Sequence, residues 1–85
     1  MMGKKIKVVQ TPCQNGPLDA VTLGKFIRAR RTQSGMGIHD AAALCGVAVD
    51  TLTKIETAKG DVMLSSILKV CHMLGIELKV IPWEK

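Results

Sequence analysis

The chain has 85 residues, a formal net charge of +5 and 47% hydrophobic content, which describes one small folded domain and leaves no room for a second. That hydrophobic content excludes a disordered tail, and the uncharged apolar runs fall short of the roughly 18–20 residues needed to cross a bilayer. With only Phe26 and Trp83 aromatic, the chain is a poor candidate for reading single strands by stacking bases on several rings. A domain of this size buries only roughly 60–65% of its unfolded surface, so self-association is expected to help it.

Cys13, Cys45 and Cys71 are odd in number, widely spaced and form no CxxC pair; they read as buried thiols in a reducing compartment. The first nine residues carry charge but no apolar stretch of a secretory signal, which points to a cytoplasmic location. Charge is uneven. Residues 1–31 hold seven basic groups against Asp19, whereas residues 32–85 hold five against six. The basic half should face any polyanion, unless it is simply a solvated face.

In chain order, Lys4 to Gln10 alternate with the period of a short strand, which the breakers Thr11-Pro12-Cys13-Gln14-Asn15-Gly16-Pro17 end. Asp19 is the expected N-cap of a first helix over about 20–33, with Leu23, Phe26, Ile27 and Arg30 at helical spacing and Gly35 as its stop. A second, two-turn helix runs over Ile38–Cys45 between Gly37 and Gly46, and a third over Val49–Glu56 follows the step Gly46-Val47-Ala48. In the fourth, Leu64, Ile67, Leu68, Cys71 and Leu74 give a 3,4,7 pattern up to Gly75 and predict the central core helix. The tail Ile76–Pro82 alternates apolar and charged residues and predicts a strand of about six residues. The expected organisation is therefore a strand and linker over 1–17, a helical domain over 18–75, and a dimerisation strand and tail over 76–85. The fold class is mainly α, with four helices and short N- and C-terminal β-strands. An isolated strand needs a partner, either the other strand or a copy in a second subunit; the C-terminal one is expected to pair in a homodimer through Ile76, Leu78 and Val80, with the fourth helix as the competing dimer surface.

Two short helices joined by a tight glycine turn, the second polar on its outer face, make a helix-turn-helix, whose second helix enters the DNA major groove. Residues 36–74 resemble the Xre/Cro, lambda-repressor-like family without a gap. Ala42, Gly46, Val47, Thr51, Ile55, Glu56, Lys59, Leu64, Leu68, Lys69 and Leu74 match its pattern, and Leu23, Gly24, Ile27, Arg31 and Gly35 fit its first helix. Physics explains several identities: Ala42 lets two helices cross closely, Gly46 permits a left-handed turn, and Val47 with Ile55 fills the wedge. The strand-like ending Leu74 to Val80 is similar to HipB-type antitoxin repressors. That resemblance implies a dimer joined through C-terminal strands and a possible partner in a HipA-type kinase toxin.

The chain departs from the family pattern at three places. Gly37-Ile38 replaces a Thr-Gln pair, which removes a side-chain cap and a polar group. Ala48-Val49-Asp50 opens the recognition helix, and Ala58 stands where relatives often carry glycine, so the helix exit is expected to shift toward Gly60. The resemblance implies base contacts from Val49, Asp50, Thr53 and Lys54, with Arg28, Arg31 and Lys59 on phosphates. Asp50 reads first as a carboxylate favouring a helix N-terminus and second as an acceptor for cytosine N4; Val49 could meet a thymine methyl group. Glu56 reads as a structural ion-pair or capping residue.

Catalytic readings are weak. His39 with Cys45, and Cys71 beside His72, lie six and one positions apart, so they do not stack on one helical face as a nucleophile and base would. The cysteines and His72 lack paired ligand spacing, and Gly35-Met36-Gly37 lacks the third glycine of a nucleotide loop. The sequence thus predicts no enzyme, no metal and no cofactor. It predicts a dimeric repressor reading a palindromic operator in double-stranded DNA, or alternatively an antitoxin or adaptor whose main role is to bind a protein such as a kinase toxin.

Overall fold

A computed structural model describes residues 6–84. Four helices follow in order: α1 (Ala20–Gln33), α2 (Ile38–Cys45), α3 (Val49–Thr57) and α4 (Leu64–Leu74). α1 begins where the sequence places it, because the Asp19 carboxylate accepts a hydrogen bond from the Thr22 backbone N–H at 2.7 Å. At its other end Arg30 and Arg31 lie in the last turn, where a helix dipole favours cations. Arg30 also reaches across to α4, its Nε donating to the Leu74 carbonyl at 2.7 Å.

The core joins all four helices through Ile27, Ala41, Ala42, Cys45, Leu52, Ile55, Val70, Cys71 and Leu74. Ile27, Leu52 and Val70 are fully buried, and each such side chain contributes about 1.5–3 kcal/mol by leaving water. α1 and α3 form the most closely packed pair. They approach at Gly24, where even a methyl group would lie 2.5 Å from the Ile55 carbonyl oxygen and 2.6 Å from that of Glu56. α4 supplies three residues to that core, with Ile67 packed against it, but not the full pattern expected from the sequence. Its inward arc is set by Val70, Cys71 and Leu74, which leaves Leu64 and Leu68 exposed.

The turn between α2 and α3 is closed by Gly46 at φ 70°, with the Val47 N–H donating to the Ala42 carbonyl at 3.0 Å. A side chain at that left-handed position would be strained. Val47 is half-buried and packs against the core cluster to which Ile55 belongs. The α3 exit differs from expectation. It does not shift to Gly60: Ala58 itself takes the left-handed conformation, φ 55° and ψ 40°, and its N–H bonds to the Ile55 and Lys54 carbonyls. The hydrogen bonds of the Ala58 and Lys59 N–H groups to the last carbonyls of α3 close the helix there in spite of the preference for glycine.

Neither expected strand is present among the described residues. Lys4 and Lys5 of the first lie outside them; the rest of that segment lies beside α1, where the Val9 N–H finds the Thr32 hydroxyl instead of a ladder partner. In the tail, Ile76 and Leu78 pack against their own core, while Val80, Ile81 and Trp83 are 86%, 90% and 85% exposed. A strand is defined by its neighbour, and one copy of this chain supplies none to either segment. Cys45 and Cys71 are buried as expected, but Cys13 is exposed, because the proline- and glycine-rich linker around it joins no core.

Candidate nucleic-acid interface

α3 divides sharply into two faces. Leu52 and Ile55 point into the core, while Asp50, Thr53, Lys54 and Thr57 are exposed. These four fall at positions i, i+3, i+4 and i+7, which is one ridge of a helix. Thr57 was missed in the sequence because the third helix was expected to stop at Glu56; extending the same spacing by one step finds it. The ridge is self-supporting: Lys54 Nζ lies 3.1 Å from an Asp50 carboxylate oxygen, and the Thr57 hydroxyl donates to the Thr53 carbonyl at 2.7 Å. The Asp50–Lys54 pair is exposed, so it adds only about 0.3–0.5 kcal/mol and is easily exchanged for other partners.

Beside this ridge, a shallow groove is bounded by Arg28 and Arg31 of α1, Ile38 of α2, and Thr53, Glu56 and Thr57 of α3. Arg28 is exposed at its edge and Lys59 is exposed just beyond α3. Arg31 is placed differently from the expected phosphate contact. Its residue exposure is 9%. Its Nε and one terminal nitrogen donate to the two Glu56 carboxylate oxygens at 2.6 and 2.9 Å, while the other terminal nitrogen donates to the Met36 carbonyl at 3.0 Å. This bidentate pair fastens α1 to α3 and to the segment that enters α2. Glu56 is accordingly a structural ion-pair residue, as its position in the sequence suggests.

Val49 is likewise drawn inward, half-buried and packed against the core cluster. The expected base-contact residues thus divide into Asp50, Thr53 and Lys54 on the exposed ridge and Val49 at its foot. Neither α2 nor α3 has a side-chain cap: Gly37 and Ala48 precede them and make no capping hydrogen bond. Their first backbone N–H groups therefore keep their donor capacity, as helix N-termini that meet phosphates do.

The cysteine and histidine pairs do not form a reactive centre. Cys45 and Cys71 are buried, and loss of solvation pushes both thiols above their ordinary value, away from the thiolate a nucleophile needs. Among the described residues no group of three or more His, Cys, Asp or Glu side chains is placed to hold a metal ion, and no helix is long and apolar enough to cross a membrane.

A comparison with curated proteins gives no match. A family model described as a helix-turn-helix domain matches residues 22–79, which take in all of α2, α3 and α4 and nearly all of α1. With more than half of the chain matched, and with a tight turn joining α2 to an α3 that keeps one ridge exposed, this protein belongs to the helix-turn-helix domain family.

Proposed function

We propose that the protein is a dimeric, sequence-specific transcriptional regulator, a repressor that reads a near-palindromic operator with α3 in the major groove. The observation that carries this reading is the ridge Asp50, Thr53, Lys54 and Thr57, exposed along one side of α3 while the opposite side is locked into the core. A helix so held presents side chains in fixed register to base edges. Thr53 reaches either a base or a phosphate oxygen, Lys54 a guanine edge, and Asp50 the cytosine N4 amino group once Lys54 leaves it. Arg28 and Lys59 position the backbone, which sets affinity and its salt dependence without reading sequence. Arg31 supports the site from within.

The dimer would form through the tail. Because Ile76 and Leu78 already pack on their own core, the surface offered to a second copy is Val80, Ile81 and Trp83. Three large exposed apolar side chains in one short segment are unfavourable unless covered. The same tail favours a second reading, an antitoxin or adaptor that holds another protein such as a kinase toxin.

Selection of bound duplexes from a random pool tests the leading reading. Enrichment of one dyad, with half-sites about one helical turn or 34 Å apart, is the expected result. If no sequence is enriched and a stoichiometric protein partner survives high salt, the adaptor reading replaces it. Lysine at both Val80 and Ile81 should convert the dimer to a monomer in sedimentation at micromolar concentration; an unchanged dimer would move the interface elsewhere.

A further inference from the structure

The segment before α1 forms one wall of a groove, and polar bonds hold that wall in place. The Val9 N–H donates to the Thr32 hydroxyl at 2.9 Å, and the Gln33 side-chain amide donates to the Val9 carbonyl at 2.8 Å and to the Thr11 hydroxyl at 3.0 Å. Thr32 is buried and its hydroxyl donates to the Ala29 carbonyl at 3.2 Å, so the clamp itself is fixed. Val9 and Pro12 are half-buried, whereas Gln10 is exposed.

Val21, Lys25 and Arg28, which fall at i, i+4 and i+7 on one face of α1, complete the groove together with Glu56 and Thr57 at the end of α3. Its volume is about 460 Å³, within the range of about 300–1,000 Å³ that small-ligand sites occupy. Val9, Pro12 and Val21 give it apolar lining, and Lys25 and Arg28 give it two cations. Among the described residues, neither cation takes part in a salt bridge. The Glu56 carboxylate is only 5% exposed and already accepts from Arg31, so it disfavours a dianion but leaves a place for a single negative charge. Arg28 and Thr57 also border the adjoining groove with Thr53 of the exposed ridge. The two grooves therefore share one guanidinium.

We propose that this groove binds a small amphipathic monocarboxylate, its apolar body against Val9, Pro12 and Val21 and its carboxylate on Lys25 and Arg28, and that the bound anion withdraws Arg28 from DNA phosphates. The second half rests on the DNA-binding reading above and makes the carboxylate an effector that releases the operator. A guanidinium fork engaged by a ligand carboxylate is turned away from the backbone. By linkage, the carboxylate weakens DNA binding by the same factor as DNA weakens carboxylate binding. The clamped wall matters because a preformed site spares the ligand the cost of ordering it.

The test uses the full chain and octanoate as the probe, with octanol as the uncharged control and acetate as the control without an apolar body. Titration of isotope-labelled protein should move the amide signals of Gln10, Lys25 and Arg28 saturably, with a Kd in the millimolar range or tighter for a ligand of this size. Octanol and acetate should each bind about fivefold or more weakly. Lys25→Gln should weaken octanoate about fivefold, and Gln33→Ala, which frees the wall, about threefold; circular dichroism establishes that both variants are folded. Binding to the duplex selected from the random pool should weaken about threefold or more at saturating octanoate but not in acetate of equal ionic strength, and Arg28→Gln should lose that response. Absence of saturable octanoate binding, or binding that Lys25→Gln leaves unchanged, overturns the site. Gln33→Ala binding octanoate as tightly as wild type overturns the clamp's role. Octanoate binding without loss of DNA affinity overturns the competition. A wild type that binds octanoate but no duplex removes the regulator reading and keeps the site; one that selects a dyad but ignores octanoate does the reverse. A DNA salt slope shallower by about 0.9 in Lys25→Gln, with no octanoate bound, assigns the groove to a DNA phosphate instead.

Discussion

Removing one partner of the Arg31–Glu56 pair should be far more damaging than removing both. The two side chains are only 11% and 5% exposed and meet through two hydrogen bonds of 2.6 and 2.9 Å. Glu56→Gln or Arg31→Met leaves the other group buried and uncompensated, which typically costs about 3–5 kcal/mol. A domain of this length has a total stability of roughly 4–13 kcal/mol, so either single change removes a large share of it. In urea, with a slope of about 1 kcal/mol per molar for a chain this small, the unfolding midpoint should fall by about 3–5 M, or the variant should be unfolded without denaturant. Arg31→Met combined with Glu56→Leu replaces the pair by apolar volume and should cost less than either single change, with a coupling of at least about 2 kcal/mol. Arg31→Lys should not rescue, because an ammonium cannot make the two-pronged contact and also reach the Met36 carbonyl. Single variants that each lose less than about 1 kcal/mol, and add without coupling, would refute the reasoning, since that is how a solvent-screened surface pair behaves. The folded double variant carries a second readout. If its DNA salt slope drops by about 0.9, Arg31 also neutralises a phosphate; an unchanged slope leaves it a purely internal tie.

Three further expectations follow from the same structure. Ala58 sits at φ 55°, where a Cβ costs about 1–2 kcal/mol. Ala58→Gly should therefore raise the melting temperature, the gain being reduced by the extra freedom glycine gives the unfolded chain; a lower melting temperature would mean that the Ala58 methyl packs usefully. A thiol reagent should titrate one group per native chain, Cys13, and three after denaturation, because Cys45 and Cys71 are buried and their thiols pushed up. Rapid native labelling of a second thiol would show the α2–α4 contact opening. Asp19 is held below its ordinary value of 3.8 by the hydrogen bonds from Thr22, the backbone one foremost. Its contribution is present above the unfolded value and is lost as pH falls through the lowered folded one. The melting-temperature gap between wild type and Asp19→Ala should thus hold at neutral pH and close below about pH 4. A gap independent of pH would place the cap's effect elsewhere than the carboxylate charge.

Much of the helical framework is local information. Asp19 announces the start of α1, Gly46 and Gly75 mark the ends of α2 and α4, and the spacing of Leu52 and Ile55 orients α3, because caps, left-handed exits and a 3.6-residue period act within a few residues. The exposed ridge follows from the same arithmetic, with Thr57 found by adding one more turn. What the chain order alone could not decide were the matters settled by residues far apart in sequence. Arg31 is charged and matches a position associated with phosphates; it becomes an internal tie only because α3 brings Glu56 alongside, 25 positions away. Val49 turns inward, and Leu64 and Leu68 are left in solvent, for the same kind of reason. Each depends on how α1, α3 and α4 settle against one another, and that packing outweighs the preference of any single residue. The two alternating segments at the ends of the chain show the limit most plainly. Alternation prepares a backbone to pair, but pairing needs a neighbour, and the tertiary structure provides instead a clamp for the first and a docking place on the core for Ile76 and Leu78 of the second.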